Sequence, residues 1–164
     1  MLGTKLGSLL HKDHMHTVET LQNLEEAVHR HKAPPAVDGD LRGLLDGLKD
    51  TLRAEVQKHF GFEEEHLFTV FTQRGETGIV MMLTQEHRSI LPLALEVADA
   101  AETALAVGFD AASWKAFKDS ANELIEREIF HIQKEEMGLL SAIQAVIDPV
   151  TDAQLAETYV RVVG

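Results

Sequence analysis

Three breaks divide this chain into four long segments, and in each segment the apolar residues recur at helical spacing. The breaks are His31-Lys-Ala-Pro-Pro-Ala-Val-Asp-Gly39, Gln73-Arg-Gly-Glu-Thr-Gly78 and Val107-Gly-Phe-Asp-Ala-Ala-Ser113. Prolines and glycines in these stretches end any helix that enters them. Between the breaks the stripes read Leu10, Val18, Leu21, Leu24, Val28; then Leu41, Leu45, Leu48, Leu52; then Val80, Leu83, Ile90 and on to Leu105; then Phe117, Ala121, Leu124, Leu139, Ala142, Val146. Steps of three and four residues place one apolar face on a helix. Four such helices with short connections predict an all-α, up-down-up-down four-helix bundle. After Pro149, Thr151 with Gln154 reads as a capping box and predicts a short fifth helix. The chain is read as a single domain over 1–164, with the bundle at about 8–147 and a C-terminal extension at 148–164.

Each stripe is interrupted by polar residues at core positions. His14 sits four residues from both Leu10 and Val18. The second stripe runs past Leu52 into His59 and Glu63. His87 lies between Leu83 and Ile90, and His131 and Glu135 lie between Leu124 and Leu139. A buried imidazole or carboxylate costs several kcal/mol unless something pairs with it. One such residue is an ordinary satisfied core histidine; six, spread over all four helices, are not.

Height along the bundle brings them together. Residues of antiparallel neighbours share a level when they are equally far from the connecting turn. The midpoint of His14 and His59 falls at 36–37, that of Glu63 and His87 at 75, and that of His87 and His131 at 109, each inside a break. The chain also repeats itself. His59 follows His14 by 45 residues and His131 follows His87 by 44. HFGFEEEHLFTV from His59 aligns with HIQKEEMGLLSA from His131, and Asp13-His14 corresponds to Glu86-His87. Each half supplies one lone histidine and one HxxxE, a pseudo-twofold arrangement.

In HxxxE the two side chains project from one helix face a turn apart. Two such pairs and two lone histidines give four nitrogens and two carboxylates, a set suited to two metal ions with both glutamates bridging. Imidazole and carboxylate without thiolate favour iron, with manganese or zinc chemically accessible. An open coordination position points to small-molecule chemistry.

The matching pieces Asp13-His14, His59-Phe60-x-x-Glu63-Glu64, Glu86-His87 and His131-Ile132-x-x-Glu135-Glu136 resemble the hemerythrin-like family, also called the HHE cation-binding domain, over Ser8 to about Ile147. The resemblance implies a four-helix bundle around a non-haem di-iron centre, oxo- or hydroxo-bridged. In it His14, His59, His87 and His131 are terminal ligands and Glu63 and Glu135 bridge. The oxygen carriers of that family have HxxxH on the third helix, where this chain has Leu83 and Leu91. Both leucines are expected to pack in the bundle. The carriers' last motif is HxxxxD, whereas Glu135 follows His131 one step sooner. The set H…HxxxE…H…HxxxE is similar instead to di-iron proteins implicated in nitric-oxide stress and iron–sulfur repair, which carry an extra cysteine-containing domain.

The remaining groups are weighed individually. A ferritin-type reading would use Glu63-x-x-His66 and Glu128-x-x-His131 as its ExxH pairs, and leaves His14, His59 and His87 unexplained. Glu128, a turn before His131, reads equally as a residue supporting the metal ligands or as a solvated helix edge. His66 is the substitute ligand should the third helix be rotated away from His87. His11 is expected at the surface near the cluster rim, and His16, His29 and His31 in solvent. Phe60, Phe62, Phe68 and Phe71 are expected to pack around the second helix's ligands, and Met81 and Met82 to be core. Pro92 removes the amide that would bond the Arg88 carbonyl, which predicts a kink one turn past His87.

Composition sets the outer limits. There is no cysteine, so disulfides, iron–sulfur clusters and thiolate zinc sites are excluded. A formal charge of −12 disfavours nucleic acid. No apolar run is long enough for a membrane span, and none resembles a signal peptide; a cytoplasmic location is expected. The functional expectation is a di-iron protein that binds or reacts with oxygen, nitric oxide or peroxide. The alternatives are an iron-handling or donor protein with a recipient partner, or a ferritin-like carboxylate protein. Turnover would need an external reductase, since no flavin or nicotinamide motif is present.

Overall fold

The computed structural model describes residues 3–164, and among them there is no strand. Five helices follow one another. Helix α1 is Lys5–Arg30. Helix α2 runs over 39–73 and is not regular: α-helical Gly39–Asp50 gives way to a π-helical Thr51–Val56, then Gln57–Phe62, a second π turn at Glu63–Leu67, and Phe68–Gln73. Helix α3 is Thr77–Val107. Helix α4 runs over 111–146, with Ala111–Lys134 followed by a π turn at Glu135–Leu139 and by Leu140–Val146. Helix α5 is Pro149–Val162. No helix among the described residues is long and apolar enough to cross a membrane.

The ends are set by local chemistry. The Thr4 hydroxyl accepts from the Gly7 amide at 2.9 Å and caps α1. A Cβ at position 7 would lie 2.5 Å from that hydroxyl, so the cap needs glycine there. Asp110 and Ser113 form a reciprocal capping box at the start of α4. Gly75 and Gly108 turn the chain at φ +86° and +76°, values open to glycine. The cap of α5 is Asp148, which accepts from the Thr151 amide at 2.8 Å, and not Thr151 with Gln154 as the sequence predicts. Pro149 takes the first helical position, where its missing amide costs nothing, and that moves the start back by three residues.

The predicted stripes are buried with local corrections. On α1 the inward residues are Leu6, Leu10, His14, Thr17, Leu21, Leu24 and Val28, so Thr17 takes the place given to Val18. Met81 and Met82 are exposed, because the face of α3 that packs inward is Leu83, His87, Ile90 and Ala94. Helix α3 continues through Pro92. Leu83 is fully buried and Leu91 packs against the core, as expected of residues that cannot ligate.

The apolar interior is in two parts. One surrounds the 31–38 linker and the Gly108 turn and includes Leu24, Leu48, Val97, Trp114 and Phe117. The other surrounds the Gly75 turn and includes Leu6, Leu10, Phe62, Phe71, Leu83, Leu139 and Ile143. The second cluster also holds Leu155 and Tyr159 of α5. Segment 148–164 is therefore integral to the bundle. Asp152 of α5 accepts from the Lys5 and Leu6 amides at 2.9 and 3.0 Å, serving donors that the first turn of α1 leaves free. Arg74 ties the end of α2 to Asp148.

Candidate metal centre

Between the two apolar clusters lies the polar layer. His14 comes from α1, His59 and Glu63 from α2, His87 from α3, and His131 and Glu135 from α4. All six are buried, none more than 7% exposed. They form two groups whose ligand atoms lie within 4.8 Å of one another: His14, His59, Glu63 and Glu135, and Glu63, His87, His131 and Glu135. Both glutamates belong to both groups, and each group has two histidines of its own.

All four imidazoles turn Nε2 inward. His14 Nε2 lies 2.8 Å from Glu135 Oε1, His131 Nε2 3.0 Å from Glu135 Oε2, His87 Nε2 3.1 Å from Glu63 Oε1 and His59 Nε2 3.3 Å from Glu63 Oε2. Only the first of these contacts has hydrogen-bonding geometry. Nε2 of His59, His87 and His131, both oxygens of Glu63 and Oε2 of Glu135 are sealed from solvent without a hydrogen-bond partner. Buried polar atoms in native proteins are ordinarily paired. Here they point at shared space between them, which is the arrangement a cation completes.

The outward nitrogens explain the rest of the repeat. Nδ1 of His131 donates to Glu86 Oε1 at 2.7 Å, and Nδ1 of His87 to Glu64 Oε2 at 2.7 Å. Nδ1 of His14 donates to Glu136 Oε2 at 2.5 Å. In each half the residue before the lone histidine faces its own half's HxxxE histidine, and the second glutamate of the Glu-Glu pair faces the other half's lone histidine. A carboxylate on Nδ1 fixes the tautomer and leaves Nε2 free for a metal. The fourth histidine breaks the symmetry. Asp13 Oδ2 stands 3.8 Å from His59 Nδ1, and the nearer group is the hydroxyl of Tyr159 at 3.3 Å. Tyr159 is buried and meets Phe62 edge-on at 4.9 Å between ring centroids. The sequence reading missed it; it lies a hundred residues from His59 on a helix that reading set outside the bundle.

Without a metal, protons hold the cluster together. Burial by itself would lower the His14 pKa, but hydrogen bonds with Glu135 and Glu136 prevail and raise it to about 9. Burial would lower His87 too, but the nearby carboxylates of Glu135 and Glu63 prevail and take it to about 10. Glu135 leads for His131, at about 9. Burial would raise Glu135, yet its four histidine partners hold it well below the usual carboxylate range.

The aromatic residues sit as expected. Phe60 stacks on His87 with ring centroids 3.9 Å apart and planes within 7°, and Phe68 stacks near it at 5.8 Å. His66 is 36% exposed at its side chain, with Glu65 at 4.0 Å as its nearest acid. It replaces no ligand, so the ferritin-type ExxH set is not assembled. Glu128 is buried, not a solvated edge; its Oε2 has no hydrogen-bond partner, and burial raises its pKa. His11 is at the surface, where it contacts Glu136 at 2.5 Å, and His16 contacts Glu55 at 3.2 Å. His29 is exposed, but His31 is half-buried beside Trp114, whose indole donates to its carbonyl.

The family model of the hemerythrin HHE cation-binding domain matches residues 6–153. The chain belongs to that family. The match covers all six inward residues and their carboxylate partners, and it ends before Tyr159. Neither the search of curated proteins nor that of solved structures returned a match. The family is one of cation-binding domains, and the two buried His/Glu groups of this chain could each hold a metal ion.

Proposed function

We propose that the chain holds two iron ions, one between His14 and His59 and one between His87 and His131, with Glu63 and Glu135 shared by both, and that the centre binds or reacts with a small oxidant or gas: oxygen, nitric oxide or peroxide. The observation that carries the reading is the set of sealed, unpartnered imidazole and carboxylate atoms that converge as two groups with two members in common. Four nitrogens and four carboxylate oxygens without thiolate suit iron. They would leave each ion room for an exogenous ligand.

Iron in this setting supplies redox chemistry and an open position for a diatomic or peroxide ligand. The chain supplies the rest. Glu63 and Glu135 would be shared by both ions. Glu64, Glu86 and Glu136 keep protons on Nδ1, so that Nε2 stays available. Phe60 and Phe68 close the His87 side against water. Turnover would need electrons from a separate reductase, since no flavin or nicotinamide motif is present in the sequence.

Iron analysis of protein produced with iron supplied should give about two equivalents, one for each His/Glu group. Less than one equivalent, unchanged in His59→Ala, defeats the proposal. Anaerobic reduction followed by rapid mixing with oxygen, nitric oxide or peroxide then separates the roles. A stable reversible adduct means a binding protein and repeated turnover an oxidoreductase. Release of iron to an acceptor means an iron donor.

A further inference from the structure

The six inward residues are buried, so an ion can reach them only through the protein. A cavity of about 20 Å³, room for one water-sized body, lies between α1, α2 and α4. Its wall includes His14, His59, His131 and Glu135, but neither Glu63 nor His87, so it opens on one side of the centre only.

Three carboxylates outside the ligand set line the same cavity: Asp13, Glu55 and Glu128. They are graded in depth. The side chains of Glu55 and Asp13 are 44% and 35% exposed, whereas Glu128 is 2% exposed. Glu128 Oε2 is sealed and has no hydrogen-bond partner. Leaving such an oxygen unpaired is destabilising, and an apolar side chain would fill the position without that cost.

Neutral diatomic molecules cross apolar protein and need no carboxylates. A divalent cation does need them. It arrives hydrated, and the narrow cavity strips its waters, so protein oxygens must replace them. Two exposed acids and one buried one, beside His14, His59 and His131, form such a sequence.

We propose that this cavity is the passage by which ferrous iron enters and leaves the centre, with Glu128 as its transient ligand midway. The proposal rests on the iron reading of the preceding subsection.

The test is isotope exchange in the reduced, iron-loaded protein. The protein is incubated anaerobically with excess ferrous ion of a heavy stable isotope and desalted, and the isotope ratio of the bound iron is measured. Glu128→Gln and Glu55→Gln keep shape and remove charge, and Glu55 touches no ligand. Exchange should slow about tenfold in Glu128→Gln and about threefold in Glu55→Gln, with both irons retained. Glu157→Gln, an exposed acid on α5, should exchange like the wild type. Wild-type protein that holds no iron overturns the iron reading and the passage together. Wild-type protein with two irons, and both cavity variants exchanging at its rate, overturns the passage alone. Loss of bound iron from Glu128→Gln at equilibrium also overturns it, since Glu128 would then hold the centre and not conduct to it.

Discussion

Glu86 accepts a 2.7 Å hydrogen bond from Nδ1 of His131, although Glu86 itself adjoins His87 in sequence. The acid next to one histidine serves a histidine on another helix, and Lys134 pairs with the same carboxylate from α4. Glu86→Gln weakens the acceptor while keeping its size. Iron affinity should fall about 10- to 100-fold, the range for loss of such a partner, with two irons still bound at saturation. Competition against a graded chelator series measures it.

Tyr159 does for His59 what glutamates do for the other three histidines, at a longer distance. Tyr159→Phe keeps the ring against Phe62 and removes the hydroxyl. Iron release to a chelator should become biphasic, with one iron leaving roughly tenfold faster and the His87/His131 iron unchanged. A single phase at the wild-type rate would show that Tyr159 acts only through packing.

Glu135 and Glu63 each belong to both groups, whereas each histidine belongs to one. Glu135→Ala should therefore lose both irons, and His14→Ala only one. Iron-to-protein ratios read this directly. Because bound metal stabilises the folded state by linkage, at about 4 kcal/mol when free iron is a thousand times its Kd, Glu135→Ala should also lose most of the rise in Tm that iron produces.

Protonation predicts opposite pH trends with and without metal. His14, His87 and His131 are raised from 6.5 to between about 9 and about 10 in the folded, metal-free protein. A raised folded pKa contributes stability that is full below the unfolded value and is lost as pH rises through the folded one. The metal-free protein should lose stability between about pH 6.5 and 10. Iron competes for the same nitrogens, so its affinity should climb over that window. Denaturant melts at stepped pH, with and without iron, show both slopes.

The bundle and the six convergent residues were legible in the sequence because both depend on short-range geometry. Helical spacing, the turn positions and i,i+4 projection are enough to place His14, His59, Glu63, His87, His131 and Glu135 on one level. The π turns were not read, though they leave a trace. Buried residues step by four in succession at Glu63, Leu67 and Phe71, and again at Glu135, Leu139, Ile143 and Ile147, where a regular helix would alternate three and four. The Glu-Glu pairs and the acids before His14 and His87 were visible as a repeat, but their purpose depends on which helix faces which. Tyr159 was out of reach for the same reason: its role is set by a neighbour a hundred residues away, and nothing local marks it. Glu128 was marked by its place a turn before His131, but whether it is buried depends on how the other helices pack.

The division of the apolar interior by the polar layer has a consequence for how the molecule comes apart. A continuous core unfolds as one unit, but here the Trp114 end and the Tyr159 end are separate apolar clusters with the ionisable layer between them. Each end is then its own cooperative unit. In metal-free protein, amide hydrogens of Leu24, Leu48 and Phe117 should exchange through one opening event, and those of Leu10, Phe71 and Ile143 through another of different free energy. Two ions bound across all four helices merge the two events into one.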